Sequence, residues 1–354
     1  MIRKALIFSL ILAPASAFAA ETDHYTLADE EVADITEELN AYSNRAVYDI
    51  LENLNRDGGC SSPDAKPEPQ HFMYDDFDNE PPPKTPEEKL YSQLRNVFAN
   101  HGKSRLINDM LDGRIQRSVI PLDESVYGEW SVGNGFLLGR SGAAKSPLAL
   151  SPLVKVGGYV IGVDKLEHMF GMGYAYFKRH HIRGMKLRRV LKIGVMAEKT
   201  YLGGNFLATG VFTYADLSAN FNGMRFWNHM LQKEDDVLGK EHNYGPYIVC
   251  EAGQWKQNPE RRIDFARYVD LTYQENHNCS KFATQRGVEK FKESLGRLEA
   301  KHGKTRGGFA CPADPARLEQ AAEKYKVPVN GGTTIDHWII NRDGNEKVSY
   351  FNEF

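Results

Sequence analysis

Cysteine is scarce in this chain, at four in 354 residues, and no two form a Cys-x-x-Cys pair. Zinc ribbons and thioredoxin-like redox sites need that spacing, so both readings lose their main support. Also missing are a Gly-x-Ser-x-Gly nucleophile elbow, a phosphate-binding loop and the usual zincin spacings. With them goes the sequence basis for the chemistries they carry. No basic block is large enough to suggest a nucleic-acid partner, and the net charge is only −3. Beyond the first twenty residues there is no long uncharged apolar run, so no transmembrane segment is expected in the mature chain.

The N-terminus carries a secretory signal pattern. Arg3 and Lys4 form a basic start, Ala5 to Ala13 an apolar core, and Ala17-Phe18-Ala19 a small-x-small cleavage site. A signal peptide over 1–19 and a periplasmic or secreted location are therefore expected. In an oxidising compartment four cysteines imply two disulfides. Cys250–Cys279 is the favoured pair, because both lie in one aromatic-rich segment, which leaves Cys60–Cys311.

The rest divides into a helical N-terminal extension over 20–60, an acidic Pro-rich linker over 61–84, and a main domain over 85–354. Leu27 to Leu54 has a helical pattern. Thr85-Pro86-Glu87-Glu88 predicts a helix start with a capping box. Arg114 to Ile120 reads as a strand, and Thr333 to Ile340 with Glu346 to Phe351 reads as a terminal hairpin. His180 to Arg189 is a basic connection between helices. The expected class is mainly α (α+β): one large helical domain with a few short strands, with a lysozyme-like layout as a further expectation.

Residues 157–231 concentrate the chemistry. Asp164 is expected to cap a helix with Glu167 as its box partner, and Lys165 and His168 follow within that helix. Glu198 ends another helix before a Gly-rich turn. Thr213 is expected to cap a third, on which Asp216, Asn220, Gly223 and Trp227 share one stripe. Charged and amide groups inside apolar helical sequence are expensive to bury unless paired. They therefore mark either a site or a structural network.

Asp-Lys-x-x-His, then Glu at a helix end, then Asp-x-x-x-Asn-x-x-Gly resembles the pattern of VanZ-like proteins and YfiM-like putative lipoproteins. Here it is Asp164-Lys165-Leu166-Glu167-His168, Glu198, and Asp216 through Asn220 to Gly223, within about seventy residues. The departures are that VanZ-like proteins are membrane-embedded, and that YfiM-like proteins place Lys before their Glu whereas Lys199 follows Glu198 here. The resemblance implies a cell-envelope role and supplies no reaction.

A second resemblance is one of layout. Lysozyme-like folds place a catalytic Glu at a helix end, then a small β segment, then helix. Glu198, the segment 205–212 and the helix after Thr213 follow that order. The leading expectation is a peptidoglycan or other envelope-glycan hydrolase, monomeric and without cofactor or metal. Glu198 would be the general acid and Asp216 the second carboxylate. Asp164, Lys165, His168, Asn220 and Thr213 would support them, and Tyr201, Phe206, Tyr214 and Trp227 would face sugar rings. The alternative is a non-catalytic envelope protein that binds peptidoglycan or a membrane partner and uses the same polar residues as a structural network.

Overall fold

A computed structural model describes residues 21–26, 31–61, 83–99, 104–128, 150–202, 209–302, 311–329 and 331–345. The described chain is mainly α, with short two-stranded sheets. No described helix is long and apolar enough to cross a membrane.

α1 (Thr36–Arg56) buries Leu39, Val47, Ile50, Leu51 and Leu54, the periodic stripe of its sequence. It begins later than the apolar pattern does. Asp34 accepts the backbone N–H of Thr36, and the Ile35 N–H donates to the Lys155 carbonyl, so residues 34 and 35 are tied to β1 before the helix begins. α2 (Pro86–Phe98) starts with the full Thr85/Glu88 capping box, and α3 (Arg105–Leu111) is capped by Ser104. The strand expected over 114–120 reduces to one bridge, Ser118 to Leu153.

β1 (Leu153–Val156) and β2 (Tyr159–Gly162) form an antiparallel hairpin that feeds α4 (Val163–Glu167). α4 passes through a π-helical turn, His168–Met172, into α5 (Gly173–Phe177) and a second π turn, Lys178–Ile182. α6 (Leu187–Ala197) follows and widens into another π turn at Glu198–Leu202. β3 (Val211–Phe212) precedes α7 (Tyr214–Leu231), which is buried along almost its whole length. β4 (Ile248–Glu251) and β5 (Gln254–Gln257) make a hairpin, while β6 (Lys281–Phe282) pairs with β3. α8 (Gln285–His302), α9 (Pro315–Ala322), the β7–β8 pair (Pro328–Val329 with Thr333–Thr334) and α10 (Ile335–Ile339) complete the order. The first arm of the expected terminal hairpin is thus a two-residue strand running into helix, and 346–351 lies outside the described residues.

Helix α7 is the axis of the main core. Trp227, fully buried, sits among Tyr91, Phe98, Tyr174 and Phe226 and donates its indole N–H to the Phe170 carbonyl. Trp227 is therefore a core residue and not a sugar platform. α7 crosses the α4–α5 helix at two glycines. A Cβ on Gly223 would lie 1.9 Å from the Met169 carbonyl oxygen, and one on Gly173 would lie 2.5 Å from the Gly223 Cα. Both clashes are with backbone, which cannot rotate away. Gly223→Ala is expected to destabilise the fold by about 1–3 kcal/mol or more, read as a lower denaturation midpoint in urea. An unchanged midpoint would show that the two helices can part without loss.

The disulfides are Cys60–Cys250 and Cys279–Cys311, with Cα separations of 6.0 and 5.8 Å. This corrects the expected pairing of Cys250 with Cys279 and Cys60 with Cys311. The β4–β5 hairpin lies along the end of α1, where Asn55 bonds the Trp255 backbone through both its amide groups and Cys60 N–H bonds to the Gly253 carbonyl. Cys250 is thereby presented to Cys60. Cys279, fully buried, instead faces the loop before α9, which is tied down by the Ala313 N–H to Asn276 carbonyl bond.

Candidate functional site

Three helices converge on one buried chamber. The α4–α5 helix brings Asp164, Lys165 and His168, α6 brings Glu198, and α7 brings Asp216 and Asn220. His168 and Glu198 each open a π-helical turn, a distortion that re-aims side chains and recurs at functional sites.

Lys165 is the hub. It is wholly buried, and its Nζ lies 2.7 Å from Asp164 Oδ2, 2.7 Å from Asp216 Oδ1 and 2.6 Å from Glu275 Oε1. The three carboxylates outweigh the loss of hydration and hold the ammonium well above the ordinary lysine range. Asp164 is not the helix cap; that position is Gly162, and Glu167 completes no box. The Asp164 carboxylate instead accepts from the Thr22 hydroxyl at 2.6 Å, while its N–H donates to Ser151 Oγ. Although burial opposes it, Lys165 and Thr22 keep Asp164 below the usual carboxylate value. Glu275 shares the same cation yet is pushed up to about 7, because burial and the charges of Asp164 and Asp216 outweigh the lysine.

His168 is held at both nitrogens. Nδ1 lies 3.1 Å from Asn220 Oδ1 and Nε2 lies 3.2 Å from Asp216 Oδ2. The amide oxygen of Asn220 can only accept, so Nδ1 is the donor in that contact.

Glu198 is different. It is 1 % exposed and has no cation of its own within ion-pair reach among the described residues. Its Oε1 accepts a long bond, 3.4 Å, from the Thr213 N–H, and its Oε2 has no hydrogen-bond partner. Burial first, then the Asp216 charge, push its carboxyl well above the ordinary range. Lys199, its neighbour in sequence, sends its ammonium over the Phe212 ring at 5.8 Å. Thr213 stands at the start of α7, but its hydroxyl reaches Glu21 Oε2 at 3.4 Å and does not cap the helix.

One ligand atom from each of His168, Glu198 and Asp216 lies within 4.8 Å of the others. One imidazole and two carboxylates are a donor set suited to a divalent cation, and Glu198 Oε2 and Asn220 Nδ2 are both buried without a hydrogen-bond partner.

Asp164, Lys165, His168, Glu198, Asp216, Asn220 and Thr213 thus meet in one place. Tyr214 is buried nearby, 5.0 Å edge-on to Phe212 and under the Lys281 ammonium. Phe206 and the Tyr201 side chain lie outside the described residues. Two further acids, Glu275 and Glu21, join these residues from outside the 157–231 stretch. Glu275 lies in the loop closed by Cys279–Cys311, accepts from the Ser280 hydroxyl within that loop, and reaches across to Lys165 of α4. Glu21, raised well above the carboxylate range by burial, enters through a bridge to Leu150, and no local pattern announces it. Comparison of the chain with protein-family models, with curated proteins and with solved structures finds no match.

Proposed function

We propose that the chain is a cell-envelope protein, periplasmic or secreted, that hydrolyses glycan strands of peptidoglycan. The observation that supports this most is the inequality of Glu198 and Asp216. Glu198 is buried with no cation within ion-pair reach among the described residues, and burial raises its carboxyl well above the ordinary range, while Asp216 is ion-paired to Lys165 and touches His168. Two carboxyls in contrasting environments are the division of labour that acid-assisted glycoside cleavage needs. Glu198 would give its proton to the departing glycosidic oxygen. Asp216 would stabilise positive charge at the sugar or orient water, and Lys165, His168 and Asn220 would hold it in place. A buried carboxyl oxygen without a partner weakens the fold, and a strongly perturbed acid in such a place is a candidate for chemistry.

A second reading draws on the closure of the chamber. Glu198 is 1 % and Asp216 3 % exposed, so glycan entry requires side chains to move aside. In that reading the residues are a structural network of a non-catalytic envelope protein that binds peptidoglycan or a membrane partner.

Incubation with purified peptidoglycans of several acetylation states, followed by mass spectrometry, separates the two. Muropeptide release by the wild type, lost at least a hundredfold in Glu198→Gln, supports the hydrolase. No release from any substrate, with both proteins folded, leaves the network reading. Release that a chelator abolishes would point to a metal held by His168, Glu198 and Asp216 in place of the Glu198 proton.

A further inference from the structure

Between His168 and Ala197 the chain has seven Lys and Arg and no Asp or Glu, although its net charge is −3. This basic stretch has no part in the chamber chemistry, but it is continuous with it. α6 carries Glu198 directly after its last residue. One face of α6 buries Val190, Leu191, Gly194 and Val195 against the core. Arg189, Lys192 and Met196, spaced i, i+3, i+7, form a line on the exposed side. Just before the helix, Ile182, Arg183 and Lys186 are exposed as well.

Two details set this face apart from an ordinary solvated surface. First, among the described residues no ion pair engages Lys186, Arg189 or Lys192. Glu234 pairs with His181 of the basic turn. Arg188 points elsewhere, toward the Trp338 ring, and is no part of the line. Second, large apolar side chains stand among the cations. Ile182 is 61 % and Met196 50 % exposed, two of only four such exposed side chains among the described residues. Cations alone would suit any polyanion. Apolar side chains set between them gain free energy where hydrocarbon lies beneath the negative charge, the layering of an anionic lipid interface.

We propose that the outer face of α6, with the turn before it, docks on the surface of an anionic phospholipid membrane. Lys186, Arg189 and Lys192 would meet the phosphates, and Ile182 and Met196 would enter the headgroup–acyl boundary. The docked face would set the Glu198 end of α6 beside the membrane. This goes beyond the hydrolase reading and stands or falls without it, since its test contains no glycan.

The test is flotation of the intact protein with phosphatidylcholine vesicles, with and without phosphatidylglycerol, at low and at physiological ionic strength. Wild type is expected to float only with the anionic vesicles, more weakly as salt rises. At about fivefold per cation, K186Q/R189Q/K192Q should lower partitioning by about a hundredfold. I182S/M196S should lower it by about tenfold and leave a remainder that salt removes. Thermal melts equal to wild type, expected for exposed positions, certify both variants as folded. No flotation by wild type, equal binding to neutral vesicles, or unchanged binding by the triple variant would overturn the proposal. So would full displacement from vesicles by double-stranded DNA or a sulfated polysaccharide together with an inert I182S/M196S variant, because the face would then be a site for soluble polyanions.

Discussion

Lys165→Met is expected to unfold the protein at neutral pH and to leave it partly folded in mild acid. Methionine fills the volume, so packing is not what is lost. What is lost is the cation that pairs at once with Asp164, Asp216 and Glu275, in a place with no exposure. Taking one partner from a buried ion pair typically costs about 3–5 kcal/mol, because the other charge is stranded. Here three carboxylates are stranded together, with Glu198 and Glu21 in the same chamber. Against a typical total stability of about 5–15 kcal/mol, that is enough to tip the balance. The carboxylates regain stability only by taking up protons, so the variant's loss in melting temperature relative to wild type should be smaller at pH 5 than at pH 8. Adding Glu275→Gln should recover part of the loss. Circular-dichroism melts across that pH range read the effect. A Lys165→Met protein as stable as wild type at pH 8 would mean that the chamber is already neutral without its lysine.

Glu198→Gln should behave in the opposite way: it should gain stability over wild type as the pH rises. A carboxyl whose folded-state pKa is raised contributes stability that is fully present below its unfolded pKa and is lost as pH climbs toward the folded one. Glu198 starts from an ordinary value of 4.5 and is raised well above it. Above pH 4.5 the unfolded chain releases this proton and the folded chain does not. The wild type therefore loses about 1.4 kcal/mol per pH unit from this group until the folded pKa is reached. Glutamine does not titrate, and its oxygen can still accept from the Thr213 N–H. The difference in melting temperature should be small near pH 4 and widen in favour of glutamine toward pH 8. His24, depressed to about 3 by burial and by Lys165, acts in the reverse sense, since the unfolded chain binds its proton below pH 6.5. The comparison must therefore be with wild type at each pH, not between pH values of one protein. A difference that stays constant across the range would show that Glu198 ionises as an ordinary surface acid, and the general-acid role would go with it. A more stable but inactive variant would be the usual sign of a site kept at the expense of stability.

Sequence alone was enough for the mainly helical class, for the capping box at Thr85, and for the convergence of residues now seen together. Those features are written in short-range physics. The 3.6-residue period sorts Leu39, Val47, Leu51 and Leu54 to one side of α1. The i, i+4 spacing puts Asp216 and Asn220 on one side of α7, and polar groups inside apolar periodicity stand out because their burial is unfavourable. Tertiary structure decided the rest. The disulfide partners, the entry of Glu21, Thr22 and Glu275, and the placing of Trp227 in the aromatic core all join residues far apart in the chain, where no local period relates them. Protonation was decided there too. Glu198, Glu275 and Asp164 are carboxyls of similar intrinsic acidity, yet burial and the position of one ammonium raise the first two and lower the third. Desolvation and Coulomb attraction depend on distance and dielectric, and those exist only once the helices have packed.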